Sequence, residues 1–274
     1  MNTRELLRQY GVRPQRRAGQ RFLIDDAIAR REVGYADIGE GDVVLEIGAG
    51  LGMLTQYLAQ NAGKVIAIER DPRLADVLAA RLPSNVQLVQ GDALKIPLPA
   101  FDVVVSNLPY QISSPITFRL LNHRFKRGVL MYQREFAQRM VSPPGSSSYG
   151  RLSVELYYKA DCRLLETVPK AAFYPPPRVE SAIVRVVPRT KPPFPVADEP
   201  LFHTVVRALF SHRRKCARNA LLASRSLFAC DKTEAKRVID KLPYGDKRAG
   251  ELAPSEFGEI TDALAGRLTP LLAD

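Results

Sequence analysis

Val43-Val-Leu-Glu-Ile-Gly-Ala-Gly-Leu-Gly52 is followed at once by Met53-Leu-Thr-Gln-Tyr-Leu-Ala-Gln60. The first five residues have the β-branched and Leu-rich character of a buried strand. The segment from Met53 repeats apolar residues at helical spacing. Between them, glycines at Gly48, Gly50 and Gly52 let the backbone turn tightly and approach a ligand. The helix N-terminus beyond offers free N–H groups. Strand, glycine-rich turn and helix, in that order, predict the start of a βαβ unit.

The pattern repeats outward from this stretch. Lys64-Val-Ile-Ala-Ile-Glu69 reads as the next strand and ends on an acid nineteen residues after Gly50. A carboxylate there can accept from both hydroxyls of a ribose. Pro72 to Leu82 reads as a helix, and Val86–Gln90 as a third strand running into Gly91-Asp92-Ala93. The fourth strand, from Phe101, stops at Asn107-Leu108-Pro109-Tyr110, where Pro109 has no N–H and steers Leu108 away from helical geometry. Ser114 and Pro115 are the expected N-cap and first residue of a helix to Leu121, followed by a strand at Val129–Tyr132 and a helix at Arg134–Val141. Ser142–Ser148 reads as a flexible loop beside the site, Leu152–Tyr158 as a helix, and Cys162–Val168 and Ser181–Val187 as strands. Toward the N-terminus, Asp25 or Asp26 caps a helix from Ala27 to Tyr35.

Strand–helix alternation over residues 43–141 predicts an α/β fold, a mostly parallel sheet with helices on both faces. Pro188–Pro200 holds five prolines and reads as a linker. Beyond it, Leu201–Phe210, Arg213–Ser224, Lys232–Lys241 and Ser255–Leu268 read as helices with no strand pattern between them. The expected organisation is one domain at 1–187, a linker at 188–200 and a small C-terminal all-helical domain at 201–274.

Forty Lys and Arg against 29 Asp and Glu give a net charge of +11, which favours a polyanionic partner such as nucleic acid. Two segments concentrate that charge. The N-terminal arm, 1–24, carries Arg8, Arg13, Arg16, Arg17 and Arg21, with no acid between Leu6 and Ile24. Arg207 to Arg225 holds six basic residues and no acid, including Arg213, Arg214, Lys215 and Arg218. Each is either a solvated face or a phosphate-contacting surface, and together they could form a two-sided clamp. Cys162, Cys216 and Cys230 lack zinc or disulfide-framework spacing and suit a reducing compartment, so no metal site is expected. No apolar run approaches membrane-span length and no secretory signal is visible, which points to a cytoplasmic protein.

Four successive strand ends carry the chemistry: the glycines, Glu69, Asp92 and Asn107. The first two fit any nucleoside cofactor, NAD included. The glycine spacing departs from G-x-G-x-x-G, and Asn107–Tyr110 has no role in hydride transfer. Asp92 supplies an acceptor suited to an adenine N6 amine. Asn107–Tyr110 suits methylation of an exocyclic amine. Such a nitrogen is a poor nucleophile because its lone pair is delocalised into the ring. The Asn107 side-chain oxygen and the Leu108 carbonyl could each accept one N–H and favour a pyramidal nitrogen, with Tyr110 stacking on the base. Positioning and electrostatics would do most of the catalysis. Phe173, before Pro175-Pro-Pro177, is the candidate for the opposite stacking face, or else a core aromatic. Since Leu108 contributes a carbonyl, its side chain is expected to tolerate change better than Asn107.

With those residues in place, the chain resembles the rRNA adenine N6,N6-dimethyltransferases, and is most similar in outline to a prokaryotic or archaeal member. The resemblance runs in order through Gly19-Gln-Arg-Phe-Leu23, Glu46–Gly52, Ala67-Ile-Glu69, Gly91-Asp-Ala93, Asn107–Tyr110, Tyr149–Val154, Phe173–Val179 and Arg213–Leu221. It implies a Rossmann-like class I methyltransferase fold, S-adenosylmethionine as cofactor, and two adjacent adenosines near the 3′ end of small-subunit rRNA as substrate. It also implies a monomer acting on a small ribosomal subunit precursor. By position, Gln20 to Leu23, Arg21 among them, would close over the cofactor. Gly48 and Gly50 would lie against its methionine part, Glu69 would hold the ribose, and Asp92 with Ala93 would read the adenine. Asn107, Leu108 and Tyr110 would hold the target amine, Asn107 would also contact the cofactor, and Phe173 would face the target base. Arg21 stands where the family usually has Asn or His, and Cys216 where Thr is common. The competing readings are a large-subunit, antibiotic-resistance-type adenine methyltransferase, a non-catalytic RNA-binding assembly factor, and an NAD-dependent dehydrogenase.

Overall fold

The computed structural model describes residues 3–15, 19–229 and 232–271. The strands are β1 (Phe22–Leu23), β2 (Val43–Ile47), β3 (Lys64–Glu69), β4 (Val86–Gln90), β5 (Val103–Asn107), β6 (Arg127–Gln133), β7 (Ala160–Val168), β8 (Phe173–Tyr174) and β9 (Ser181–Pro188). The helices are α1 (Thr3–Gln9), α2 (Asp26–Tyr35), α3 (Met53–Asn61), α4 (Pro72–Ala79), α5 (Ser113–Leu121), α6 (Arg134–Met140), α7 (Arg151–Lys159), α8 (Glu199–Ser211), α9 (Ala217–Ala223), α10 (Lys232–Ile239) and α11 (Pro254–Leu264). None is long and apolar enough to cross a membrane among the described residues.

The described chain separates into two compact units, residues 1–137 with 161–188 and residues 138–160 with 189–274. The division after residue 188 lies beside the expected boundary at 187, whereas the expected placing of 138–160 in the first domain is corrected. The segment 138–160 belongs with the C-terminal helices because Tyr149, Val154 and Tyr158 bury their side chains in that core. The expected linker is corrected too. Phe194 and Val196 pack against the same core, and the Ala197 N–H donates to Asp262.

In the first unit a seven-stranded sheet has the order β4-β3-β2-β5-β6-β9-β7. The pairs β2–β3, β2–β5, β3–β4 and β5–β6 are parallel, and β6–β9 is antiparallel. Order reverses between β2 and β5, the topological switch point at which open α/β sheets bind ligands. The central strands are mostly apolar because both faces are covered, with Glu46 of β2 and Ser106 of β5 buried among the aliphatic residues. Val103 and Val105 join a core with Ile28 and Val33 of α2 and Leu54 and Leu58 of α3, while Val104, fully buried, faces the other side. The helix expected after Tyr110 begins earlier than Ser114. A 3₁₀ turn at Tyr110–Ile112 leads directly into α5 at Ser113.

In the second unit α7 to α11 surround a core that includes Phe202, Leu209, Leu221, Phe257 and Ile260. Phe210 stacks on Phe257 with ring centroids 5.6 Å apart, and the Tyr149 hydroxyl donates to the Leu252 carbonyl at 2.9 Å. The helix expected over Arg213–Ser224 starts only at Ala217, so Arg213, Arg214 and Lys215 occupy a turn.

Candidate active site

A cavity of about 730 Å³ opens at the carboxyl ends of β2, β3, β4 and β5, entirely within the first unit. That volume suits a small-molecule site. Its lining includes Gln20, Arg21, Phe22, Gly48, Gly50, Glu69, Asp71, Asp92, Ala93, Asn107, Leu108 and Tyr110. The structure thus gathers residues spread over ninety positions of sequence around one space.

The glycine turn is held from behind. Gly48 and Gly50 take φ of 78° and 60°, the left-handed region that favours glycine. A Cβ on Gly48 would meet the Pro109 ring at 3.4 Å, and one on Gly50 the Phe22 ring at 3.4 Å. The Gly48 N–H donates to the Ile68 carbonyl at 2.7 Å. Glu69, only 6% exposed, accepts the Gly50 N–H on Oε2 at 2.8 Å and the Asp71 N–H on Oε1 at 2.7 Å. Burial raises its pKa, and the backbone donors of Asp71, Gly50 and Arg70 oppose that rise. The carboxylate keeps acceptor capacity for a ligand hydroxyl.

Asp92 follows β4. Its Oδ1 accepts the Leu94 N–H at 3.0 Å and its Oδ2 lies 3.7 Å from Arg70. Ala93 is buried beside it. At the end of β5, Asn107 is half-buried and Leu108 only 1% exposed. The Leu108 side chain is packed in the interior, and Leu108 also borders the cavity. The Tyr110 hydroxyl and Ser181 Oγ lie 2.6 Å apart, which fixes the ring beside Asn107.

Two expected site residues are not brought to the cavity. Leu23 and Phe173 face each other in the antiparallel β1–β8 pair, are 5% and 2% exposed, and share one core cluster. Phe173 has no open face for a base, and the core-aromatic alternative describes its place. The loop 142–148 is not among the lining residues and lies in the second unit, where the Gly145 N–H donates to the Gly250 carbonyl.

Asp71 and Ser181 were not singled out from the sequence. Asp71 caps α4, accepts from Gln20 Nε2 at 2.8 Å and pairs with Arg73 at 2.6 Å. The Arg73 guanidinium lowers its pKa to about 2. Its signal was local: an acid immediately before Pro72, the N-cap before a first-turn proline. Ser181 had no such signal, since only the fold brings it to Tyr110.

Of the basic residues expected to touch RNA, Arg13 is exposed and Arg16 and Arg17 lie outside the described residues. Arg213, Arg214 and Lys215 are exposed, Arg213 donating to the Ser147 carbonyl at 3.0 Å. Arg218 is half-buried and pairs with Asp246 at 3.1 Å.

Comparison with known proteins agrees with this geometry. The family model described as ribosomal RNA adenine dimethylase matches residues 12–255. A Methanosarcina mazei protein named "Probable ribosomal RNA small subunit methyltransferase A" is 47% identical over 265 residues, covering 95% of this chain and 96% of the relative. A Thermococcus onnurineus protein of the same name is 48% identical over 259 residues, covering 93% and 94%. Among solved structures, a dimethyladenosine transferase from Plasmodium falciparum aligns with a TM-score of 0.75 at 30% identity, over 87% of this chain and 95% of that one. The 23S rRNA methyltransferase ErmE aligns with a TM-score of 0.67 at 27% identity, over 89% and 99%. The fold is that of the class I methyltransferases, for which S-adenosylmethionine is the expected cofactor. The chain belongs to the ribosomal RNA adenine dimethylase family.

Proposed function

We propose that this chain transfers methyl groups from S-adenosylmethionine to the exocyclic N6 of two adjacent adenosines near the 3′ end of small-subunit rRNA. It would do so as a monomer in the cytoplasm, on a small-subunit precursor. The observation that carries the reading is the single cavity lined both by Glu69 and Asp92 and by Asn107 to Tyr110. One half suits a nucleoside cofactor and the other a target amine. The small-subunit assignment is supported by the names of relatives that match over nearly their whole length.

The donor set fits the cofactor. Glu69 keeps acceptor capacity for the ribose hydroxyls, Asp92 offers an acceptor for the adenine amine, and Gly48 and Gly50 leave room for the methionine part. When bound, the cofactor supplies an electrophilic sulfonium methyl. The protein's share is orientation. Asn107 Oδ1 and the Leu108 carbonyl each accept one N–H of the target amine, so that the nitrogen lone pair points along the cavity. Tyr110, steadied by Ser181, stacks on the base. The base must leave its stack to arrive there, the general cost of chemistry on a nucleobase. No general base is required, since the quaternised nitrogen gives its proton to water.

Arg13, Arg16 and Arg17, with Arg213, Arg214, Lys215 and Arg218, would supply the salt-dependent phosphate contacts. The test is to incubate separated ribosomal subunits with labelled S-adenosylmethionine. Label is expected in the small subunit. Label in the large subunit alone would favour the ErmE-like alternative and refute the proposal.

A further inference from the structure

Asp92 lines the cavity as an acceptor, and its direction depends on the turn that follows it. The cation beside it, Arg70, is 3.7 Å away with 77% of its side chain exposed, so water screens the pair. The turn holds it more firmly. Asp92 Oδ1 accepts the Leu94 N–H at 3.0 Å, and the Asp92 carbonyl accepts the Lys95 N–H at 2.8 Å and the Ile96 N–H at 3.0 Å. All three donors belong to residues 94–96, so the carboxylate stays no stiller than they do.

A guanidinium from another element grips that turn. Arg119, in the last turn of α5, donates from Nη1 to the Leu94 carbonyl and from Nη2 to the Ile96 carbonyl at 2.6 Å, across 25 and 23 positions of sequence. A planar fork suits two neighbouring acceptors in a way that a compact ammonium does not. Ile96 is also packed from its side-chain end, since a Cβ on Gly91 would stand 2.8 Å from its Cγ2. Leu94, Ile96 and Arg119 stand outside the cavity lining. The turn at Tyr110–Ile112 leads directly into α5, so one helix runs from the Asn107–Tyr110 turn to the loop of Asp92.

Resting on the function proposed above, we propose that Arg119 is a positioning residue for recognition of the cofactor's adenine. It acts through the loop and not by contact with the cofactor. By tying the Leu94 and Ile96 carbonyls to α5, it keeps the Asp92 carboxylate aimed where an exocyclic N–H must arrive. Hydrogen bonds are directional, so a carboxylate free to swing toward water would hold that amine less well. It would also reject a base lacking the amine less sharply.

The test uses S-adenosylhomocysteine and its inosine analogue, in which a ring carbonyl replaces the amine. Calorimetry on the full chain gives both dissociation constants, and their ratio is the readout. A general loosening of the fold weakens both ligands together and leaves the ratio unmoved. Wild type is expected to favour the adenosyl ligand at least about tenfold. Arg119→Met keeps the apolar stem and loses the fork. Its ratio should fall roughly fivefold, with the inosine analogue bound nearly as in wild type. Arg119→Lys keeps a charged donor and should give an intermediate ratio. In an Asp92→Ala background, Arg119→Met should change the ratio no further. A wild-type ratio in Arg119→Met, whether or not both ligands weaken, would overturn the proposal and leave Arg119 a structural tie. Should Arg119→Met not fold, Arg119→Lys decides by the same ratio. Wild type that binds the adenosyl ligand without preferring it, or does not bind it, would instead sink the underlying reading of the cofactor site, so the two failures are distinguishable.

Discussion

The Glu69 carboxylate holds the Gly50 backbone N–H at 2.8 Å. The acid suited to a ribose is therefore also the brace of the glycine turn, tying the ends of β2 and β3 into one unit. Glu69→Ala removes both, and S-adenosylmethionine affinity measured by calorimetry is expected to fall roughly 100-fold. Glu69→Gln should lose less, since one oxygen acceptor remains. An unchanged dissociation constant for Glu69→Ala would contradict the assignment.

Asn107 should behave in the opposite way. Asn107→Ala takes one of two acceptors from the target amine and leaves the cofactor end intact. The expected loss in single-turnover rate is on the order of 10²- to 10³-fold, with cofactor affinity nearly unchanged. A residual rate within about tenfold of wild type would remove Asn107 from the amine-holding role.

The Tyr110 hydroxyl, 2.6 Å from Ser181, lets orientation be separated from stacking. Tyr110→Phe keeps the ring and loses only its tether, so the rate should fall several-fold. Tyr110→Ala removes the platform and should cost far more, base stacking being about 1–3 kcal/mol. Equal effects from the two changes would mean that stacking is not what the ring supplies.

Two carboxyls beneath the site give a pH dependence. Glu32 on α2 is completely buried with neither oxygen hydrogen-bonded, and Glu46 on β2 is bonded to Thr55 at 2.6 Å. Burial raises both to about 8 from an ordinary 4.5, with Glu46 and Glu166 adding repulsion at Glu32, and Glu69 at Glu46. The folded chain therefore holds protons that the unfolded chain releases. Their contribution is complete below the ordinary carboxylate range and is lost as pH rises toward 8. Thermal unfolding of wild type is expected at lower temperature at about pH 8 than at about pH 5, and Glu32→Gln should reduce that difference. The same pH dependence in the variant would contradict a neutral buried Glu32.

Leu108 marks where sequence reading ran out. Its carbonyl was legible, since Pro109 constrains it, but its packing was not, because burial depends on the sheet behind it. Leu108→Ala is expected to cost about 2–5 kcal/mol of stability in denaturant unfolding. A cost near zero would contradict its burial.

The strands, the glycine turn and the placing of Glu69 and Asp92 at strand ends beside one cavity were legible because hydrophobic period and strand-end chemistry are local signals. The partition of 138–160 was not, since Tyr149 and Tyr158 find their partners only through contacts distant in sequence, with Leu252 and Phe202. Phe173 misled for a related reason. A proline-stiffened loop says that an aromatic is held, not which way it faces, and pairing with Leu23 turns it inward. Asp71 lay in plain view beside Pro72, yet its bond to Gln20 spans 51 positions and needed the fold.

The proposed reaction has one cavity bring a sulfonium methyl to the N6 of adenosines in small-subunit rRNA. It is tested most directly by treating unmethylated small subunits with the protein and S-adenosylmethionine, then mapping the modified nucleotides by mass spectrometry of the RNA. Two adjacent N6,N6-dimethyladenosines near the 3′ end are expected. Methylation elsewhere, on another base or on no RNA at all, would contradict it.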